Sequence, residues 1–277
     1  MEILRTLDEL RAYRHKISGY VGLVPTMGAL HEGHLSLIKK SFSDNDVTIV
    51  SIFVNPAQFA PHEDFDSYPR QLEEDCKKLD RLNVDAVWAP SMAEIYPKDF
   101  HTSVKVSGIT EILEGSFRPH FFEGVTTIVN KLFMQIQPDR AYFGEKDYQQ
   151  LKVIQKMVRD LNIAVDVIGC PIVRDDQGLA LSSRNAYLSD EQISIAQRLN
   201  KIIKQAGDVL KAGSIKQAEL ALKDELMSSG FTKVDYVALR NAYDLSEVYG
   251  LQDDIEIRVL VAAYLGPVRL IDNMALN

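Results

Sequence analysis

Cysteine is scarce in this chain: Cys76 and Cys170 are the only two among 277 residues, far apart and outside any C-x-x-C pair. That excludes a disulfide framework and a zinc knuckle, and it fits a reducing compartment. Long apolar runs are missing too. The purest, Val259–Leu265, has seven residues, where a membrane span needs about twenty. The opening Met1-Glu2-Ile3-Leu4-Arg5 carries acid at once and lacks the apolar centre of a secretory signal. Together these features predict a soluble, cytoplasmic protein with no membrane partner. Basic excess is absent as well: 31 Lys+Arg face 39 Asp+Glu, a formal net charge of -8. Gripping a nucleic-acid backbone requires a basic surface, so no nucleic-acid partner is expected. A small anionic ligand, which needs only a few local positive groups, remains open.

What is present is an ordinary globular composition, 46% hydrophobic and 25% charged, long enough for a sizeable core or for two domains. From Tyr20 to about Cys170, short apolar runs alternate with helical patterns. Tyr20–Val24 reads as a strand stopped at Pro25. Val47–Val54, β-branched nearly throughout, reads as a central strand covered on both faces. Tyr68, Leu72, Cys76, Leu79 and Leu82 are spaced by three and four, an amphipathic helix over 68–82. Further strands are predicted at Ala86–Trp88, Ala141–Phe143 and Ile163–Ile168, and helices over 125–136 and 148–161. Strands separated by helices imply crossovers and a parallel, doubly wound α/β sheet. After about Arg174 the rhythm changes. Capping-box patterns open a long helix near Ser189 and another at Ser214, and strands at Val234–Leu239 and Ile255–Tyr264 complete a smaller α+β unit. The expected division is 1–173 and 174–277. Charge does not separate the halves, since 174–277 holds 12 basic and 15 acidic residues.

In a doubly wound sheet, ligands bind beyond the carboxyl ends of the strands. There stands Pro25-Thr26-Met27-Gly28-Ala29-Leu30-His31-Glu32-Gly33-His34, followed by a helical pattern. Gly28 lets the backbone turn, Gly33 lets it approach a ligand, and two imidazoles with free N–H groups at a helix start suit a triphosphate. Two histidines without a third ligand at suitable spacing are too few for zinc. Gln58, at the end of Phe53-Val54-Asn55-Pro56-Ala57-Gln58-Phe59, offers both donor and acceptor. Gly144-Glu145-Lys146-Asp147 ends a strand, and Asp147 could cap the following helix. In Leu181-Ser182-Ser183-Arg184, the serines and the forked guanidinium could hold phosphate oxygens.

The strand, proline, Met-Gly and H-x-G-H on a helix start resemble the nucleotide-binding signature of the class I aminoacyl-tRNA synthetase and nucleotidyltransferase superfamily. There the second histidine contacts the α-phosphate region of ATP. Adding N-P-x-Q-F, the F-D-S-Y-P-R of 65–70, F-G-x-K-D, G-L-A-x-S-S-R-N and the Arg269-Leu270-Ile271-Asp272-Asn273 segment, the chain resembles the pantoate–β-alanine ligase family over essentially its whole length. The resemblance implies a Rossmann-type N-terminal domain, a smaller C-terminal lid and a homodimer. It implies ATP contacts from Met27, Gly28, Ala29, Leu30, His31, Glu32, Gly33 and His34, with His34 catalytic. Gly144, Glu145, Lys146 and Asp147 would take the adenosine portion, with Lys146 also near phosphate. Val173 would contact the adenine, and Leu181, Ser182, Ser183 and Arg184 would close over the leaving phosphates, where the synthetases carry a lysine-rich loop. Gln58 and Gln150 would hold pantoate, and Gln58 would also meet β-alanine. ATP is implied as a substrate with Mg²⁺ bridging its phosphates, and no protein-held metal is expected. One departure stands out. The family usually reads R-P-G-H-F-x-G-V, whereas residues 118–125 read R-P-H-F-F-E-G-V, so Phe121 occupies the usual histidine position and neither Arg118 nor His120 is assigned a role.

The implied reaction has two steps: pantoate attacks the α-phosphorus of ATP, and β-alanine then attacks the resulting acyl adenylate. Two rival classes share parts of the pattern. A nucleotidyltransferase of the same superfamily would leave the nucleotide on its product. A tRNA-binding or regulatory nucleotide-binding module is the non-ligase alternative, and the acidic halves without a basic stripe weigh against tRNA.

Overall fold

The structure is a computed structural model that describes every residue except 61–62, 252–253 and 277. In chain order it runs β1 (Glu2–Leu4), α1 (Leu7–Arg14), β2 (Val21–Thr26), α2 (Glu32–Asp44), β3 (Val47–Ile52), α3 (Leu72–Arg81), β4 (Ala86–Trp88), α4 (Met92–Ile95), α5 (Glu114–Phe117), α6 (Phe121–Ile136), β5 (Arg140–Gly144), α7 (Tyr148–Asp160) and β6 (Asp166–Cys170). Then follow α8 (Asp190–Ala196), α9 (Arg198–Ile203), α10 (Ala206–Lys211), α11 (Ile215–Ser228), β7 (Lys233–Asn241), β8 (Ile257–Leu265) and β9 (Val268–Ala275). The first six strands form one parallel sheet in the order β1-β4-β3-β2-β5-β6, and β7-β8-β9 form a separate antiparallel sheet. The α/β fold with a smaller antiparallel-sheet domain is therefore as the residue pattern predicts. Among the described residues no helix is long and apolar enough to cross a membrane.

Period-two alternation explains the layers. Leu23, Ile49, Trp88 and Phe143 face a core shared with α6 and α7, whereas Val24, Val50, Val87 and Tyr142 face one shared with α2 and α3. Chain order reverses between β2 and β5, since β2 pairs with β3 on one side and β5 on the other. That switch point opens a crevice at the strands' carboxyl ends. A second core holds α8–α11 against the antiparallel sheet.

Several boundaries differ from expectation for identifiable reasons. β2 continues through Pro25 to Thr26. The carbonyl of Val21 accepts from Asp139 N, so the main-chain groups of Val21, Leu23 and Pro25 face β5, and pairing to β5 ends at Leu23. Pro25 thus stands where no donor is required. The α3 helix starts at Leu72, not Tyr68, because Pro69 bars its predecessor from helical dihedrals. The long helix expected from Ser189 is three short ones, α8 to α10, whose junction residues Gln197 and Lys204 keep right-handed helical angles. One helical trace therefore bends over the sheet, burying Ala196, Leu199, Ile203 and Leu210. The strand expected at 163–168 lies at 166–170, and β1, α1 and β9 carry no reading in the sequence pattern.

Candidate active site

The loop between β2 and α2 turns at Gly28 and Ala29, both left-handed with φ of 84° and 51°. Such a turn is costly for alanine, and a buried carboxylate holds it. Asp75 on α3 accepts from Ala29 N and Leu30 N, both at 2.8 Å, and is fully buried. Lys78, one turn further along α3, donates to Leu30 O at 2.6 Å. A side chain at Gly28 would meet Asp75 Oδ2 at 3.1 Å and Ile52 at 3.3 Å.

His31 is the N-cap of α2. Its Nδ1 accepts from Gly33 N at 3.1 Å, and His34 Nδ1 accepts from His31 N at 3.4 Å, with ring centroids 4.1 Å apart. The two histidines thus form a reciprocal capping box. This alters two expectations. The Gly33 N–H is taken by His31 and is not left free for an anion. Gly33 is also small for its neighbour's sake, since a Cβ there would lie 2.8 Å from His31 Cε1. Because both Nδ1 atoms accept, each neutral ring carries its proton on Nε2 and presents it as a donor. Burial, then Lys146 and Lys78, lowers His31 to about 4. Burial, then His31 and the same two lysines, lowers His34 to about 3. The pair acts as neutral donors rather than cations at pH 7.

Across the crevice, β5 ends in a 3-10 turn, Glu145–Asp147, with Lys146 Nζ 3.7 Å from Asp147 Oδ2. Asp147 makes no side-chain cap for α7, contrary to expectation. After β3, the buried Asn55 donates to Gln58 Oε1 at 2.9 Å and to Gly124 O at 3.1 Å, while accepting from Tyr96 OH at 2.8 Å. With its oxygen engaged, Gln58 has its amide N–H groups to offer. From the second lobe, Leu181 N donates to Val173 O, Ser183 Oγ to Ala29 O, and Ser182 caps a short turn through Arg184 N.

A crevice of about 250 Å³ collects Met27, His31, Gly33 and His34 with Gln58, Gly144, Lys146, Asp147 and Gln150. Val173 and Leu181 to Arg184 complete its wall. It joins a larger cleft of about 770 Å³ between the two sheets through Lys146, Asp147, Gln150 and Arg184. The remaining expected contacts stand elsewhere. Gly28 and Ala29 shape the loop, Leu30 is buried in the core, Glu32 is exposed beside Lys39, and the Glu145 side chain turns towards Arg258 at 3.6 Å.

Several residues escaped the sequence reading. Arg118 lines both cavities, bound to Glu63 at 2.6 Å through two nitrogens, to Glu114 at 3.1 Å and to Gln58 O at 3.0 Å. Its guanidinium stacks 3.9 Å above the ring of Phe121. His120 is exposed and left-handed at φ 73°, a conformation that favours glycine. Asp75 had left a faint signal, since it lies three residues from Leu72, at the edge of the apolar stripe.

Comparison with known proteins agrees with this geometry. The family model for pantoate-beta-alanine ligase matches residues 2–275. A pantothenate synthetase of Acetivibrio thermocellus is 49% identical over 281 residues, covering 99% of each chain. One from Caulobacter vibrioides is 50% identical over 280 residues, covering 99% of this chain and 98% of its own. Among solved structures, pantothenate synthetase from Thermus thermophilus superposes with a TM-score of 0.92 at 43% identity, over 99% of each chain. The pantoate-beta-alanine ligase from Francisella tularensis, complexed with beta-gamma ATP and beta-alanine, gives 0.83 at 38% identity, over 99% of this chain and 97% of its own. A neutral histidine pair on a helix start, facing a lysine turn and two glutamines at a sheet's switch point, is thus carried by a chain that belongs to the pantoate–β-alanine ligase family.

Proposed function

We propose that this chain condenses (R)-pantoate with β-alanine at the expense of ATP, releasing AMP and pyrophosphate. The observation that carries this reading is the convergence of His34, Lys146, Gln58 and Gln150 on one crevice. An amine cannot displace oxide directly from a carboxylate, because oxide is a hopeless leaving group. Adenylation solves this. The pantoate carboxylate attacks the α-phosphorus and pyrophosphate departs; the β-alanine nitrogen then attacks the acyl carbon of the mixed anhydride, the C–O bond to AMP breaks, and the nitrogen sheds one proton as the amide forms. Phosphoryl transfer asks the protein mainly for positioning and charge stabilisation.

In this reading the His31 and His34 Nε2–H groups donate to phosphate oxygens, and Lys146 adds a full positive charge. Gln58 and Gln150 hold pantoate, with Gln58 also beside the entering β-alanine. Gly144 to Asp147 take the adenosine portion, Val173 meets the adenine, and Leu181 to Arg184 cover the leaving phosphates. Met27 lines the nucleotide crevice, and Gly28 to Leu30 shape the loop that leads to the histidines. Mg²⁺ would enter with the nucleotide as part of the substrate and would neutralise phosphate charge. The division at 173/174, a lid role for 174–277, a homodimer and a cytoplasmic location belong to the same proposal.

The test is pyrophosphate release with ATP and pantoate alone, followed by addition of β-alanine. Pantoate-dependent release and then pantothenate with free AMP are expected. Release without pantoate dependence, or a product that retains the nucleotide, overturns the reading.

A further inference from the structure

The Arg269-Leu270-Ile271-Asp272-Asn273 segment has no part in the chemistry above, yet two of its residues reach the nucleotide-facing segments. Asn273, on β9, is almost wholly buried at 2% exposure. Its Nδ2 donates to Glu145 O at 2.8 Å and to Lys146 O at 2.9 Å. Both amide hydrogens are therefore spent on consecutive carbonyls of the turn that carries Lys146. Its Oδ1 accepts from Arg258 Nη1 at 2.6 Å, which fixes the amide's orientation. The Arg258 guanidinium in turn packs 3.8 Å from the Tyr148 ring, at the start of α7.

The preceding residue serves the other wall. Asp272 takes Arg174 through two bonds of 2.7 and 2.8 Å and also accepts from Asn273 N at 2.8 Å. Arg174 follows Val173, whose carbonyl holds Leu181. Consecutive strand residues point to opposite faces, so one strand of the small sheet fastens the Lys146 turn with one residue and the Val173 segment with the next. Apart from the approach of Glu145 to Arg258 at 3.6 Å, side chains of the turn do little to fix it. It has no side-chain cap, and the nearest carboxylate oxygen to Lys146 Nζ is 3.7 Å away.

We propose that Asn273 is the positioning residue for Lys146, reaching it across the two sheets so that the lysine meets the ATP phosphates only when the small domain is docked. The proposal rests on the nucleotide role given to Lys146 above. An aspartate at 273 keeps the shape of the side chain but replaces the donor with an oxygen facing two carbonyl oxygens, and the turn must move. Displacement of a reacting group by about 1 Å typically costs on the order of 10²-fold in rate.

The experiment is a double-mutant cycle on the full-length chain, read as kcat for pantoate-dependent pyrophosphate release. Asn273→Asp is expected to lower kcat on the order of 10²-fold while leaving the KM for pantoate in place. In a Lys146→Ala background the same substitution is expected to add almost nothing. The second half-reaction, run from pantoyl adenylate and β-alanine, is expected to keep its rate. Should Asn273→Asp fail to fold, Asn273→Ser, which keeps one donor and adds no charge, carries the same cycle with a smaller loss. A normal rate in Asn273→Asp or Asn273→Ser overturns the positioning role, as does a loss that persists in full without Lys146. A normal rate in Lys146→Ala alone overturns the nucleotide role of Lys146, and the proposal falls with it.

Discussion

Asp64 holds Arg184 through two bonds across the mouth of the crevice, Nε to Oδ2 at 3.1 Å and Nη2 to Oδ1 at 2.9 Å. Its neighbour Glu63 holds Arg118 in the same bidentate manner. Two successive carboxylates therefore occupy the two arginines that flank the site. A triphosphate that uses Arg184 competes with Asp64 for its guanidinium. The pair is partly exposed, at 33% and 24% for the two side chains, so its strength is about 1 kcal/mol at most. Asp64→Asn is expected to lower the KM for ATP by up to about fivefold with little change in kcat. Initial rates against ATP concentration measure it, and an increased KM would show that Asp64 assists binding.

His34→Ala removes an Nε2–H donor aimed into the crevice. Loss of one such donor typically lowers the rate by ~10²–10³. Adenylation, followed as pantoate-dependent pyrophosphate release, is expected to fall by that factor while circular dichroism stays unchanged.

The histidine pair also ties stability to acidity. An unfolded histidine protonates near 6.5, whereas His31 and His34 in the folded chain protonate at about 4 and about 3. Between these limits the unfolded chain binds more protons. The contribution is therefore complete above pH 6.5 and is lost as pH falls towards 3. Denaturant titrations at pH 7 and pH 5 are expected to show lower stability at pH 5, and the difference should shrink when His31 is replaced by Asn, which can still cap α2.

Asp75 takes two main-chain N–H groups in a fully buried site. Asn at this position points an amide at one of them. A buried hydrogen bond to a charged group contributes about 1.5–3 kcal/mol, so Asp75→Asn is expected to lower unfolding free energy by about that amount and to raise the KM for ATP. The urea midpoint reports the first and steady-state kinetics the second.

His120 sits at φ 73° on the protein surface. Relief of a left-handed side-chain residue gains roughly 1 kcal/mol, partly offset by the greater freedom of glycine when unfolded. His120→Gly is expected to raise the melting temperature by about 2 °C without changing turnover. A drop in melting temperature would mean the histidine makes a contact that outweighs its backbone cost.

Much of this protein was legible in one dimension. Alternating Leu23/Val24 and Ile49/Val50 identify strands covered on both faces, and the 3.6-residue spacing of Val125, Ile128, Val129, Leu132 and Ile136 identifies α6. Strands separated by helices then imply the parallel sheet, and H-x-G-H after a strand points to a nucleotide at its carboxyl end. These signals are local, because dihedral preference and periodic burial act over a few residues.

The partners of those residues were not legible, because they come from distant parts of the chain. Asp75 supports a loop 45 residues earlier, Arg184 meets Asp64 across 120, and Asn273 reaches Lys146 across 127. Nothing in spacing or composition marks such pairs. The protonation of His31 and His34 was equally hidden, since it depends on burial and on Lys146 and Lys78 brought near by folding. Residue order alone sets which chemical groups stand at the ends of the strands. Their charge, their orientation and what holds them come from packing, because desolvation and hydrogen-bond geometry exist only once the chain has closed on itself.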